Sequence, residues 1–339
     1  MNKRKRVSIF VMALVMAMVS AQFAMAQKLT GAGSTFDYPI FAKWFSEYSQ
    51  AHPGVEINYQ SIGSGGGIQQ VSNGLVDFGA SDGPMTDAQL AQSKVKLVHI
   101  PVVLGADVPA FNVPGVTNLR FSGETLANIY LGKIKTWNDP RIAQDNPNVK
   151  LPAMAITVVH RADGSGTTYI FVDYLSKVSP EWKSGPGVGT SINWPVGIGG
   201  KGNEGVTGLL RQIPGSIGYI ELTYALQNHI SFGAIKNAAG NWVSASIAGV
   251  TEAAASVKSM PADFRVSITN APGATAYPIS SFSWMLVPVK AQDAAKGRVL
   301  RDFLSWMVNS GEAQVSSLYY APLPKNVGQK VLKVVYSLQ

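Results

Sequence analysis

Three times in this chain a short run of strand-forming residues leads into a turn of glycine and hydroxyl residues, and then into a segment with helical periodicity. The turns are Gly31-Ala32-Gly33-Ser34-Thr35-Phe36, Gly63-Ser64-Gly65-Gly66-Gly67 and Arg161-Ala162-Asp163-Gly164-Ser165-Gly166-Thr167. Strand-turn-helix alternation of this kind predicts an α/β chain with mostly parallel sheets. Strands are expected at 28–32, 55–62, 76–81 and 155–160. Helices are expected at 38–52, where Ile40, Phe41, Trp44, Phe45 and Tyr48 share one face, and at 68–75 and 168–178. Thr86 with Gln89 has the capping-box spacing of a further helix start. The stretch 63–67 reads as a turn. The Gly- and Pro-rich stretch 184–216 reads as largely loop, and 233–277 shows no legible pattern.

The same turns define the candidate chemistry. A helix N-terminus has unpaired N–H groups and about half a unit of positive charge. Glycine admits a ligand close to the backbone, and Ser or Thr adds a hydroxyl donor, so such turns suit a small oxyanion. Open α/β sheets bind ligands at the carboxyl ends of their strands, where these turns fall. Arg161 supplies a guanidinium that can pair bidentately with an oxyanion, and Asp163 is spaced to brace it. Asp82, in "VDFGASDGPM", is a carboxylate in an anion site. An ionised carboxylate only accepts hydrogen bonds, so it would favour an anion that still bears a proton and repel unprotonated sulfate. A turn or capping role before Pro84 is the plain alternative.

Composition narrows the setting. The chain has 339 residues and no cysteine, which excludes disulfides, a thiol nucleophile, Cys-ligated zinc, Fe–S clusters and a lipid-modified cysteine anchor. Charged residues make up 14% and hydrophobic ones 46%, a balance that folds. The length exceeds what one core usually fills, so two lobes are expected. Lys3, Arg4, Lys5 and Arg6 precede an apolar run from Val7 to Ala21 and a small-x-small site at Ala24-Met25-Ala26. Residues 1–26 thus read as a cleavable secretory signal peptide, with Gln27 the first mature residue. No later stretch is apolar enough to span a bilayer, so a soluble periplasmic protein is expected.

Other motif matches carry less. Gly79-Ala80-Ser81-Asp82-Gly83 fits the G-x-S-x-G pattern of serine hydrolases, with His99, His160 and His229 downstream, but the next helix begins only near Thr86, after Pro84. Gly197-Ile198-Gly199-Gly200-Lys201-Gly202 fits G-x-G-x-x-G, yet its surroundings lack a clean strand before and helix after, and Gly202 breaks the P-loop pattern. It reads as a loop near the cleft. The four histidines lack metal-ligand spacing, so no metal or cofactor is expected. Scattered basic residues in an exported chain exclude nucleic acid.

A resemblance sharpens these readings. "LTGAGSTFDYPIFAKW", "NYQSIGSGGGIQQV", "VDFGASDGPM", "IYLGKIKTWNDPRI", "HRADGSGTTYIF" and "WPVGIGGKGNEGVTGLLRQIPGSIGYIE" occur in the order found in the periplasmic phosphate-binding proteins of ABC-type uptake systems, the PstS family. The likeness runs from about 28 to 230 and resumes more weakly from about 277 to 322. It implies a two-lobed type II periplasmic-binding fold with two hinge crossings, a mostly parallel sheet in each lobe, and dehydrated phosphate held between the lobes. By motif, the contacts would be Thr35, Phe36, Ser64, Asp82, Arg161, Ser165, Gly166 and Thr167, with Asp163 bracing Arg161. The expected lobes are 27–108 with 280–339, and 109–279. The implied role is a monomeric carrier for an ABC-type permease, without catalysis; a hydrolase using Ser81 and a binder of another oxyanion are the alternatives. Asp37 stands where the family usually has proline and is expected to face solvent. Gly65 replaces a common serine and Gly83 a common alanine.

Overall fold

The computed structural model describes residues 27–339. The leader and cleavage site read in the sequence lie outside the described residues.

The principal sheet has nine strands. At one side β1 (Gln27–Gly33) lies between β2 (Val55–Ser61) and β3 (Phe78–Ser81), all parallel. At the other, β6 (Thr157–Arg161) lies between β7 (Ile198–Gly200) and β8 (Ser216–Glu221), again parallel. Two strands join these groups. In the 16-residue β4 (Leu97–Asn112), Leu97 to Ala106 pair with β12 (Ser280–Pro288), and Asp107 to Asn112 pair with β8. Both pairings are antiparallel, as is that of β12 with β3. Parallel pairing therefore holds for the outer strands and not for the centre. The chain leaves the first strand group along β4 and returns along β12, so these two must run in opposite directions. A short β9 (Ser231–Phe232) adds to β4, and β5 (Arg120–Phe121), β10 (Ala234–Lys236) and β11 (Trp242–Val243) form a separate small sheet.

Between Ser283 and Trp284 of β12 the register shifts, leaving Val102 of β4, next to Pro101, without an opposite residue. Proline offers no N–H to the ladder, so an irregularity is expected there. Bulges re-aim side chains, and Ser283 at this one turns a hydroxyl toward the site described below.

Helices cover both faces. In α1 (Tyr38–Ala51) the residues Ile40, Phe41, Trp44, Phe45 and Tyr48 are all buried, the face read from periodicity. Phe45 and Tyr48 pack against Phe303 of α11 (Ala294–Asn309), and each such side chain contributes roughly 1.5–3 kcal/mol on burial. Thr86 and Gln89 form a complete capping box at α3 (Asp87–Gln92). Two expectations are corrected. The helix α2 (Ser64–Ser72) begins at Ser64, so "SGGG" is its first turn and not a loop. The stretch 184–216 holds β7 and the eleven-residue α8 (Gly202–Gln212). Glycines there suppressed the helix signal, although Val206 and Leu210 form its buried seam. The remaining helices are α4 (Gly123–Tyr130), α5 (Pro140–Asp145), α6 (Gly166–Val178), α7 (Pro180–Ser184), α9 (Leu222–Gln227), α10 (Ile247–Ala255) and α12 (Lys325–Ser337). None of the described helices is long and apolar enough to cross a membrane.

Candidate anion-binding site

β1, β2 and β6 each end in a turn that the sequence singled out, and the three turns meet. Gly33, at φ +143°, closes β1 where any Cβ would lie 2.1 Å from the Ala80 carbonyl oxygen, so the turn can begin only with glycine. Thr35 and Phe36 follow and are buried. The Thr35 Oγ1 accepts hydrogen bonds from the backbone N–H of Asn203 (3.1 Å) and from its side-chain amide (2.8 Å). The Phe36 ring enters the core beside Tyr320, whose hydroxyl donates to the Phe36 carbonyl at 2.6 Å.

Arg161 ends β6 almost fully buried. Its Nε and Nη2 donate to the two carboxylate oxygens of Asp163 at 2.8 and 2.5 Å, and its Nη1 donates to Thr167 Oγ1 at 3.1 Å. Asp163 also accepts the backbone N–H of Gly202 at 3.0 Å. The expected brace is thus present. Ser165 caps α6, its Oγ accepting from the Thr168 N–H at 3.0 Å. That leaves the amides of Gly166 and Thr167, in the first helical turn, without an intrahelical acceptor.

Asp82 follows β3 and is 1% exposed. Its Oδ1 accepts from Ser34 Oγ (2.5 Å) and Ser283 Oγ (2.8 Å), while Ser64 Oγ lies 3.5 Å from its Oδ2. Burial pushes its carboxyl up to about 6, against the pull of these hydroxyls and of the Arg161 charge. A Cβ on Gly166 would lie 2.6 Å from Asp82 Oδ2, so the α6 N-terminus abuts this carboxylate. The Gly65 N–H donates to the Gly164 carbonyl at 2.8 Å, which joins the α2 and α6 turns.

Of the nine residues named from sequence, eight converge on one cluster, with Asp163 at its half-buried edge, while Phe36 follows Thr35 and sends its ring into the core. Several hydroxyls in it share a property. Thr35, Ser165 and Thr167 are each engaged as acceptors, Thr167 from both Arg161 and the Asn203 amide (3.2 Å). A hydroxyl held as an acceptor still has its own proton to donate. The arrangement therefore presents O–H and N–H donors and one guanidinium, with one carboxylate as acceptor. It suits a small, partly protonated oxyanion.

Sequence reading missed four residues here: Ser34, Asn203, Ser283 and Asp37. Asn203 lay in a segment read as loop, and Ser283 in the stretch where the family likeness is weaker and no strand was read. Asp37 was expected to face solvent; it is fully buried, and its Oδ2 lies 2.5 Å from Ser283 Oγ. Desolvation, then the neighbouring Asp82 charge, push its carboxyl well above the usual range. The hydrolase arrangement is not formed. Ser81 Oγ donates to the Gly83 carbonyl at 2.5 Å, His99 accepts the Met85 N–H at 3.0 Å, and His160 stacks on Trp194.

The family model of the PBP superfamily domain matches residues 19–311. Phosphate-binding protein PstS of Xylella fastidiosa is 46% identical over 315 residues, covering 92% of this chain and 86% of the relative. Phosphate-binding protein PstS of Pasteurella multocida is 45% identical over 325 residues, covering 94% of both. A solved high-affinity periplasmic phosphate-binding protein, bound with phosphate, superposes with a TM-score of 0.72 at 21% identity, covering 90% of this chain and 93% of the other. At that identity the likeness is one of fold.

Proposed function

From the premise that this chain belongs to the PstS family of phosphate-binding proteins within the PBP superfamily, we propose that it is an exported carrier that binds inorganic phosphate and delivers it to the permease of an ABC-type importer. The observation that carries this reading is the set of acceptor-locked hydroxyls around Arg161, with Asp82 as the one acceptor facing them. Phosphate keeps a proton at neutral pH and can donate it to Asp82; sulfate has none to offer. Thr35, Phe36, Ser64, Arg161, Ser165, Gly166 and Thr167 donate to the anion, and Asp163 holds Arg161 in place. Hydrogen bonds to a charged group contribute about 1.5–3 kcal/mol each, so several together offset the anion's desolvation.

The lobes of this reading are 27–108 with 280–339, and 109–279, with crossings along β4 and just before β12. Thr35, Phe36, Ser64 and Asp82 belong to the first and Arg161 to Thr167 to the second. An anion touched by both favours the closed form only through that differential contact. Docking on the permease and reopening then release it, with no bond made or broken. Residues 1–26 direct export and are removed, and the carrier works in the periplasm as a monomer.

Equilibrium dialysis with labelled phosphate tests this. One phosphate per chain is expected, displaced poorly by sulfate, with no ester turnover and no labelling of Ser81 by a serine-reactive probe. Turnover with Ser81 labelling, or absent phosphate binding, overturns it.

A further inference from the structure

One hydroxyl in this site faces two carboxyl groups. Ser283 Oγ lies 2.5 Å from Asp37 Oδ2 and 2.8 Å from Asp82 Oδ1. A hydroxyl carries a single proton. It can donate to one of these oxygens, and the other contact then needs a proton from the carboxyl itself. Without one, bare lone pairs would face each other at hydrogen-bond distance in a dry interior. So one of the two acids is neutral.

The surroundings decide which. Asp82 accepts a second hydroxyl, from Ser34, and the Arg161 charge acts on it favourably. Asp37 has no cation among the groups that act on it, the Ser34 hydroxyl that also bears on it makes its short contact with Asp82, and its Oδ1 is buried without a partner among the described residues. The groups facing it are Asp82 after β3, Glu221 at the end of β8, and the hydroxyl-bearing Tyr59 of β2 and Tyr320. Arg161 and the buried Asp107 of β4 enter through Asp82 and Glu221. Asp37 does precede α1, where a carboxylate is normally favoured, but its side chain makes no capping bond and points instead to Ser283. An unpartnered carbonyl oxygen of a neutral acid is tolerable there; an unpartnered carboxylate oxygen is far more costly.

We propose that Asp37 is held protonated and donates through Ser283 to Asp82, making it a positioning and specificity residue that keeps Asp82 the only charged acceptor beside the anion. The proton on Asp37 engages Ser283 Oγ, and the Ser283 proton engages Asp82 Oδ1. Ionisation of Asp37 at alkaline pH sets a second negative charge one hydroxyl away from Asp82 and works against anion binding. The consequence for affinity rests on the phosphate reading above; the protonation state does not.

Two measurements on the mature chain test this. Infrared difference spectra of unliganded wild type against Asp37→Asn at neutral pH should show a protonated-carboxyl band that only the wild type has. Titration calorimetry with inorganic phosphate between about pH 6 and 9 should show wild-type affinity falling at least about tenfold more than that of Asp37→Asn, since a change of one unit in log K is a factor of ten. Ser283→Ala, which cuts the relay, should move that band. A wild type without the band, or parallel pH profiles for wild type and Asp37→Asn, overturns the proposal. If phosphate fails to bind at every pH, the functional reading falls while the infrared band still decides Asp37.

Discussion

The side-chain amide of Asn203 stands 2.8 Å from Thr35 Oγ1, although 168 residues separate the two in sequence. The same amide reaches Thr167 Oγ1 at 3.2 Å, and Asn203 Oδ1 accepts the Glu221 N–H at 3.0 Å. One residue thus ties the β1–α1 turn to α6, β8 and the start of α8, and holds two site hydroxyls as acceptors. Asn203→Ala removes these bonds and leaves the Glu221 N–H buried without its acceptor. A loss of about 1–3 kcal/mol, roughly fivefold to 150-fold in phosphate affinity, is expected, with little change in secondary structure. Calorimetry alongside circular dichroism checks this. Unaltered affinity would remove Asn203 from the closed arrangement.

On the proposed reading, Asp82 selects the anion. With its carboxyl pushed up to about 6 by burial, it is mainly ionised at neutral pH. As pH falls through that value it gains a proton and becomes a donor, which suits sulfate as well as phosphate. The preference for phosphate over sulfate should therefore shrink on acidification, and Asp82→Asn should show the reduced preference at all pH values. Competition calorimetry at about pH 5 and pH 8 measures both effects. A ratio independent of pH and of the substitution would deny Asp82 the selecting role.

Gly166 tests the fit at the α6 N-terminus. An added Cβ would lie 2.6 Å from both the backbone nitrogen and Oδ2 of Asp82. Backbone cannot yield there, so Gly166→Ala must displace Asp82 or part the two turns. Alanine is otherwise a better helix former than glycine by about 1 kcal/mol. The expected outcome is a folded protein with at least about tenfold weaker phosphate binding. Gly208→Ala, in the interior of α8 with open space around its would-be Cβ, serves as the control and should raise the melting temperature without affecting binding. Equal binding by both variants would show that the Gly166 contact is not part of the site.

Local signals carried much of this architecture. The apolar face of α1, the Thr86–Gln89 box and the Gly-Ser-Thr turns all follow from the short-range preferences of a few residues, and the structure has them where the pattern puts them. What failed depended on distant partners. The glycines of α2 and α8 argue against helix by propensity, yet a Cβ on Gly67 would meet the Gly33 Cα at 2.5 Å, so packing against β1 requires glycine inside the helix. The antiparallel centre of the sheet is set by where the chain returns, which no window of residues reveals. In the site, the nine motif residues lie on contiguous turns, whereas Ser283 reaches Asp82 across 201 residues and depends on a bulge next to Pro101. Asp37 misled because an acid at a helix start normally faces water. Here Ser283 gives it an interior partner.

Buried acids also give the whole fold a pH dependence. Asp107 pairs with Glu221 across β4 and β8, is fully buried, and has no hydrogen-bond partner for either side-chain oxygen among the described residues. Desolvation raises its carboxyl well above the usual range and pushes Glu221 and Glu312 up to about 8. In each case the folded chain keeps a proton that the unfolded chain releases near pH 4, so the folded state binds more protons between about pH 4 and 8. Stability is then greatest at the acid end of that window and falls as pH rises through it. The melting temperature should be lower at pH 8 than at pH 6. Asp107→Val, which suits a buried strand and removes an unpaired acid, should stabilise the fold by about 1–3 kcal/mol at neutral pH and flatten the slope. Denaturant unfolding at the two pH values checks both signs. A variant less stable than the parent at pH 8 would mean that the Asp107 carboxyl contributes to the fold, contrary to its lack of partners.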